Sequence, residues 1–245
     1  MKRDHSDGTG SERAGTDAAV LDEDLILQPS DLRAGDILLY RKGQPDMVSR
    51  RIEAATGSPY THAAIHVGDG QVAESLPPGG VRKSTVEASI AGSRCVAVLR
   101  SQCGFGPERV RRLEEFVRLV LARNRFYALG AVLGFQRGSA DFFERQMEII
   151  ARDYGKVATA EEYAQRSFFC SAFVVACYAA VGIIGDTAQV AYEPDVHSPG
   201  HLADENTFGW LLGFLIPEGG SVAADDPVLQ GAKMRWRDAQ ELRWW

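Results

Sequence analysis

The sequence predicts an α+β fold, in which a few antiparallel strands pack against several helices. Short apolar runs with strand-like alternation dominate the first hundred residues, whereas longer stretches with helical periodicity dominate the rest. Strand and helix patterns are therefore segregated along the chain, which is typical of an antiparallel sheet packed against helices. A tight turn of type Gly-Asp-Gly at 68–70 joins two strands directly, as antiparallel neighbours require.

Four strands are predicted before residue 100, each a short apolar or alternating run bounded by turn residues. They cover 36–40, 61–67, 71–76 and 95–99. The run Pro-Pro-Gly-Gly that follows the third strand ends it, because proline cannot donate to a sheet and glycine favours turns. A short helix is expected between the first two strands, from 47 to 55.

Three longer helices are predicted after residue 100. Pro107 opens the first, since a proline in the first turn of a helix loses no hydrogen bond. The second is predicted over 140–153 and the third over 170–183. An irregular loop is expected over 186–208, followed by a last apolar element over 208–216.

Composition divides the chain into three segments. Residues 1–24 are rich in Gly, Ser and carboxylates and poor in large apolar side chains, so we expect them to be disordered. Residues 25–216 carry the strand and helix patterns and are expected to form one domain. Residues 217–245 return to a loop-like composition and form a C-terminal tail that ends in Trp244 and Trp245.

Charge and hydropathy exclude several classes of partner. The formal net charge of −6 argues against nucleic acid as a partner. The longest apolar run, 172–184, is too short for a transmembrane segment, which needs about 20 residues. The N-terminus lacks the apolar stretch of a Sec signal peptide. We therefore expect a cytoplasmic protein, unless a dedicated secretion system delivers it.

Cys170 stands out among the four cysteines, because it precedes the apolar run that predicts the third long helix. The unpaired N–H groups and the dipole at a helix N-terminus favour the thiolate, which is the nucleophilic form of cysteine. The alternative is that Cys170 is a small buried hydrophobe, which is how Cys95, Cys103 and Cys177 are interpreted. No Cys-x-x-Cys pair is present, so we expect free thiols and no zinc site.

His62 and Glu74 are the candidate partners of this cysteine. His62 begins the second strand, and Glu74 lies on the strand that returns after the 68–70 turn. A carboxylate beside an imidazole orients it and stabilises its protonated form. His66 lies on the same strand face as His62. A structural histidine and a surface carboxylate remain the alternatives.

Five segments, in order along the chain, resemble those of the permuted NlpC-type amidases of the YiiX/YebB-like group. They are LRAGDILLY at 32–40, THAAIHVG at 61–68, VAES at 72–75, FCSAFV at 169–174 and SPGHL at 198–202. The resemblance implies a circularly permuted papain-like fold, in which the histidine precedes the cysteine, as it also does in lecithin–retinol acyltransferase-like proteins. It further implies that Cys170 is the nucleophile, His62 the general base and Glu74 the orienting group.

The resemblance implies a cysteine hydrolase that cleaves amide bonds in peptides or cell-wall peptides and needs no metal or organic cofactor. Tyr127 resembles a family tyrosine that precedes the nucleophile helix; Tyr127 and Tyr60 are the candidates for oxyanion or substrate binding. Ala172 and His201 depart from the family pattern, in which acidic residues are common. Two alternatives stay open: a lipid acyltransferase or thioesterase with an acyl substrate, and a non-catalytic binding module.

Overall fold

The computed structural model describes residues 18–123, 126–128, 138–231 and 233–241. These residues adopt the predicted α+β fold around one six-stranded sheet with the order β4-β3-β2-β1-β5-β6. Every neighbouring pair of strands in this sheet is antiparallel. The strands are β1 (Ile37–Lys42), β2 (His62–Gly68), β3 (Gln71–Leu76), β4 (Gly80–Thr85), β5 (Ser93–Arg100) and β6 (Trp210–Leu215).

The helices lie mostly after the first five strands, as the segregated pattern predicts. They are α1 (Met47–Thr56), α2 (Val86–Ile90), α3 (Pro107–Arg123), α4 (Gln146–Asp153), α5 (Ala160–Tyr163), α6 (Cys170–Ala180), α7 (Pro199–Asp204), α8 (Pro227–Gln230) and α9 (Trp236–Glu241). Residues 138–144 are also helical. Short 3₁₀ helices include Asp186–Ala191 and Pro194–Val196, which lead the chain from the end of α6 back towards its start.

The two faces of the sheet bury different apolar clusters, because successive side chains of a strand point in opposite directions. Ile37, Leu39 and Ile65 belong to the larger cluster, which also contains the apolar side chains of α3 and α6. Leu38 and Val98 belong to the smaller cluster on the other face. Helix α6 is buried along ten of its eleven residues, so its position relative to the sheet is fixed from all sides.

The predicted strands and long helices are confirmed, with three differences. Strand β4 is present in the structure but is not predicted. Only Gly80 among its six residues is buried, and its polar sequence lacks the apolar alternation of the other strands. The helix predicted over 140–153 is interrupted at Arg145, which is in a turn before α4. The predicted loop 186–208 contains α7, which Ser198 begins with a capping box closed by His201.

Residues 18–27 lie against the C-terminal part of the chain. The backbone of Ala18 bridges Ala223, and the N–H of Leu27 donates to the carbonyl oxygen of Phe214 on β6. Asp22 forms an ion pair with Arg235. Residues 1–17, and with them most of the segment predicted to be disordered, fall outside the described residues, as do Trp244 and Trp245.

No helix among the described residues combines the length and the apolar character that crossing a membrane requires.

Candidate active site

Helix α6 begins at Cys170, so the sulfur lies in the first turn of a buried helix. The residue before it, Phe169, is extended and provides no side-chain cap for the helix. The chain is held just upstream of the cysteine, where the carbonyl oxygen of Phe168 accepts hydrogen bonds from the Ser75 hydroxyl (2.8 Å) and the Ala128 N–H (3.2 Å). Strand β3 therefore helps to fix the position at which α6 starts.

His62 lies near the start of α6 because it is on β2, one of the inner strands of the sheet. It is the first residue of β2 and lies opposite Tyr40 of β1, with the two rings 5.0 Å apart between centroids. Its Nε2 atom is 2.9 Å from Oε2 of Glu74 on β3. Because Nε2 is occupied by the carboxylate, Nδ1 is the ring nitrogen that remains for the hydrogen bond between His62 and Cys170.

The Cys170 sulfur lies among groups that stabilise a negative charge. Burial alone raises the pKa of the thiol, but the hydrogen bond and charge of His62 outweigh burial and lower it. The backbone N–H groups of Ala63 and Ser171 also donate to the sulfur and contribute to the lowering. A thiolate is therefore favoured at this position.

Conversely, His62 is held in its protonated form. Burial lowers the pKa of this imidazole, whereas the hydrogen bonds and negative charges of Cys170 and Glu74 raise it to about 9. The side chain is 13% exposed, so solvent screens these interactions only weakly. Each of the two groups therefore favours the charged form of the other.

Both carboxylate oxygens of Glu74 make hydrogen bonds that fix the orientation of the side chain. Oε2 faces His62, while Oε1 accepts hydrogen bonds from the Ser84 hydroxyl (3.0 Å) and from the guanidinium of Arg82 (3.2 Å). Burial raises the pKa of the carboxyl, but the contacts with His62, Ser84 and Arg82 lower it overall. Glu74 is therefore an ionised, oriented partner of the imidazole, although its side chain is only 3% exposed.

Arg82 and Ser84 were not among the residues predicted from the sequence. They lie on β4, whose polar sequence does not predict a strand. Arg82 is directly opposite Glu74 in the register between β3 and β4. The alternation of side chains places residues 82 and 84 on the same face of that strand. Arg82 and Ser84 could be predicted as partners of Glu74 only if β4 were first predicted as a strand.

Tyr127 lies beside the cysteine. Its backbone N–H donates to the carbonyl oxygen of Pro78 (3.2 Å), which places the tyrosine near the end of β3. Burial and the nearby charge of Cys170 raise the pKa of its phenol, while a hydrogen bond with the Cys170 backbone lowers it by less. The phenol therefore stays protonated and can donate a hydrogen bond next to the sulfur.

Tyr60 takes part in a different buried group. Its hydroxyl donates to Oδ1 of Asp226 (2.7 Å), and Oδ2 of the same carboxylate accepts from Arg41 (3.2 Å). Asp226 also caps α8 through the N–H of Val228. These contacts indicate a structural role for Tyr60, which joins the segment just before β2 to the C-terminal part of the chain.

The remaining cysteines and histidines have other surroundings. Cys95 and Cys177 are buried, and desolvation raises the pKa of both thiols, whereas Cys103 is exposed. Burial lowers the pKa of His66. His197 makes a hydrogen bond from Nδ1 to the carbonyl oxygen of Glu193. Among the described residues, no three His, Cys, Asp or Glu side chains are grouped as metal ligands.

No protein-family model and no curated protein matches this chain. Among solved structures, the chain is similar to the crystal structure of a metalloprotein, YiiX from Escherichia coli O157:H7, with 21% sequence identity and a TM-score of 0.31. The similarity covers 35% of this chain and 48% of that chain, so this chain spans about half the length of the protein that it matches.

Proposed function

We propose that this protein is a cysteine hydrolase of the permuted papain-like, NlpC-type kind, which cleaves amide bonds. The observation that carries the proposal is the hydrogen-bonded series Cys170–His62–Glu74 at the start of a buried helix. A nucleophile, a base in contact with it and a third group that orients the base are the arrangement that covalent catalysis requires. A binding module has no need to hold a cysteine and a histidine in contact.

The proposed reaction begins with attack of the Cys170 thiolate on the carbonyl carbon of the substrate. A carbon–sulfur bond forms, and the electron pair of the carbonyl moves to its oxygen. Protonated His62 then donates its proton to the leaving amine as the carbon–nitrogen bond breaks, which leaves a thioester on the enzyme. The raised pKa of His62 keeps this proton available at neutral pH.

Hydrolysis of the thioester uses the same two residues in the reverse sense. His62, now neutral, removes a proton from a water molecule that attacks the thioester carbonyl. The carbon–sulfur bond breaks, the acid is released, and the thiolate–imidazolium pair is restored. Oε2 of Glu74 binds Nε2 of His62 and so keeps Nδ1 directed at the sulfur in both steps. Oε1 of Glu74 is held by Arg82 and Ser84, which fixes the orientation of the carboxylate.

Two donors next to the sulfur support a role in binding the oxyanion. The backbone N–H of Cys170 belongs to the first turn of α6 and donates to the Tyr127 hydroxyl, so a substrate oxyanion would take the place of that contact. The Tyr127 phenol, which burial keeps protonated, is the second donor. Donors prearranged around a developing negative charge contribute a large share of the rate enhancement in acyl transfer.

We propose a peptide or a peptidoglycan fragment as the substrate, encountered in the cytoplasm or after delivery by a dedicated secretion system. An acyl substrate, as for a lipid acyltransferase or thioesterase, is the second candidate, because the same thiolate chemistry serves esters and thioesters. One observation favours it: Phe126, directly before Tyr127 in the chain, is 78% exposed and offers an apolar surface to an acyl chain.

A substrate panel distinguishes these candidates. The purified chain is assayed on a dipeptide amide, a peptidoglycan stem peptide, a fatty-acyl thioester and a phospholipid. We expect hydrolysis of a peptide amide, a loss of about 10³-fold or more in Cys170→Ala, and full activity in the matched variant Cys103→Ala. Preferential turnover of the thioester or phospholipid would select the acyl alternative. Peptide hydrolysis that survives Cys170→Ala would refute the proposed chemistry.

A further inference from the structure

A cleft of about 520 Å³ lies between α4, α5 and the 3₁₀ helix Asp186–Ala191. None of the residues found to line it belongs to the candidate active site. Its volume falls within the range of clefts that bind small molecules, which is roughly 300–1,000 Å³.

The wall of the cleft carries a polar side chain with an unused donor. Gln189 is 7% exposed, and its Oε1 atom accepts hydrogen bonds from the N–H of Ala158 (3.0 Å) and the hydroxyl of Tyr163 (3.3 Å). A backbone N–H can only donate, so the contact with Ala158 fixes which end of the amide is oxygen. The Nε2 atom, with two N–H groups, has no hydrogen-bond partner among the described residues, and Gln189 is one of the residues that line the cleft.

The cations that line the cleft are already paired with carboxylates. Arg152 and Lys156 both contact the carboxylate of Asp153, and Arg166 contacts Glu193. An anion would have to compete with these carboxylates for the cations, so the rim does not select for negative charge. A neutral ligand avoids that competition.

The floor of the cleft is apolar and aromatic. Phe142 and Tyr163 are buried and line it, and Val157 and Val190 form part of its sides. Apolar surface of this kind binds a ligand through its removal from water, while a few polar groups fix the orientation of the ligand. Gln189 is the polar group in position to do so.

We propose that this cleft binds a small neutral carbonyl compound, an amide or ester with an apolar body, whose carbonyl oxygen accepts hydrogen bonds from Nε2 of Gln189. A hydrocarbon would remove this donor from water and leave it unpaired, and an amine or ammonium would place a donor against a donor. This binding site is separate from Cys170 and does not depend on the proposed catalysis.

The probe for this proposal is phenylacetamide, titrated into the full ¹⁵N-labelled chain and followed by amide chemical shifts. We expect saturable shifts at the Gln189 side-chain amide and at the backbone of Ala158 and Tyr163. Phenethylamine, which has a similar size but no carbonyl acceptor, should cause no saturable shifts there. The variant Cys170→Ala should bind phenylacetamide as the unaltered chain does, which separates this test from that of the proposed function.

Gln189→Glu tests the donor itself. The new carboxylate still accepts from Ala158 and Tyr163, and these two donors favour its ionised form, but it presents oxygen instead of N–H to the ligand. We expect at least tenfold weaker binding of phenylacetamide. The matched control Gln165→Glu makes the same chemical change on an exposed side chain outside the cleft and should leave binding unchanged.

Val157→Phe provides a second, independent variant if Gln189→Glu does not fold. Val157 is 43% exposed, so the larger side chain can be accommodated while it narrows the cleft, and we expect weaker binding. Absence of saturable shifts with phenylacetamide, shifts confined to another part of the chain, or equal binding by the folded variants would overturn the proposal.

Discussion

At the scale of single residues, the candidate site depends on mutual stabilisation of charges. The Cys170 thiol has a lowered pKa because His62 is next to it, and His62 has a raised pKa because Cys170 and Glu74 are next to it. The sequence alone suggested Cys170 through its place before an apolar run. It left His62 and Glu74 ambiguous, because isolated strand residues of these types are more often structural. The hairpin at 68–70 predicts that Glu74 lies beside the His62 strand, whereas the family resemblance relates both residues to Cys170.

The pH dependence of turnover tests the role of Glu74. His62 must be protonated to release the leaving amine, so activity should fall as the pH rises through about 9, where the raised pKa of this imidazole lies. Glu74→Gln removes the negative charge that lies next to Nε2 of His62, and this lowers the pKa of His62. We therefore expect turnover to decrease at least about tenfold and the alkaline limb of the pH profile to move to lower pH.

Glu87→Gln is the matched control for this variant, because Glu87 is an exposed carboxylate on α2. Its pH profile should coincide with that of the unaltered protein. An alkaline limb that stays in place in Glu74→Gln would show that Glu74 does not set the protonation of His62, and the orienting group would have to be sought among other residues.

At the scale of elements, β4 and α6 mark the limits of prediction from sequence. Helix α6 was predicted because a continuous apolar run of that length is typical of a buried helix. Strand β4 is not predicted because it lies at the edge of the sheet, where most of its side chains are exposed to solvent and its sequence is polar. Its contribution to the site, through Arg82 and Ser84, depends on the register with β3, which pairing between strands determines.

Loss of the contacts from β4 should change the acid side of the pH profile. Arg82 and Ser84 help to lower the pKa of Glu74, so the double variant Arg82→Gln/Ser84→Ala raises it. Glu74 then becomes protonated at a higher pH, and we expect activity to fall earlier as the solution is acidified. Lys83→Gln, an exposed neighbour between the two, should leave the acid limb unchanged. Coincident acid limbs for both variants would contradict the role of β4.

The packing of α6 against α3 should matter for stability. Phe173 is fully buried between Phe116 and Phe168, with ring centroids 6.4 and 5.8 Å away. We expect Phe173→Ala to lower the free energy of unfolding by about 3–5 kcal/mol, measured by urea denaturation. Phe126→Ala removes the same ring from an exposed position and should change it by less than about 0.5 kcal/mol. Equal effects would contradict the packing described.

At the scale of the whole molecule, the sheet brings together residues that are far apart in sequence. The α+β class and the order of most elements were predictable from periodicity, because each pattern is local. The contact between β2 and the start of α6 was not, since nothing local in either segment specifies the other. The same holds for residues 18–27, whose attachment to β6 and to the C-terminal part depends on the folded chain.

Truncation at two points tests where the folded N-terminus begins. Residues 18–24 contribute backbone contacts with 222–223, exposed ion pairs, which stabilise proteins little, and one partly buried apolar side chain, Leu21. Leu25 and Leu27, by contrast, are buried. We expect deletion of 1–24 to leave the melting temperature nearly unchanged and deletion of 1–27 to lower it by several degrees. A large decrease on deletion of 1–24 would show that the ion-paired segment is part of the core structure.

The central claim is that Cys170 and His62 form a thiolate–imidazolium pair, and timed alkylation at pH 6 tests it most directly. The native chain is treated with iodoacetamide, and modification of each cysteine is followed by mass spectrometry. We expect Cys170 to react well before exposed Cys103, because the neighbouring His62 lowers the pKa of the Cys170 thiol, and buried Cys95 and Cys177 to react last. His62→Ala should slow the labelling of Cys170 and no other. If Cys103 reacted first, or if His62→Ala left the rate at Cys170 unchanged, the ion pair and the hydrolase proposed from it would be contradicted.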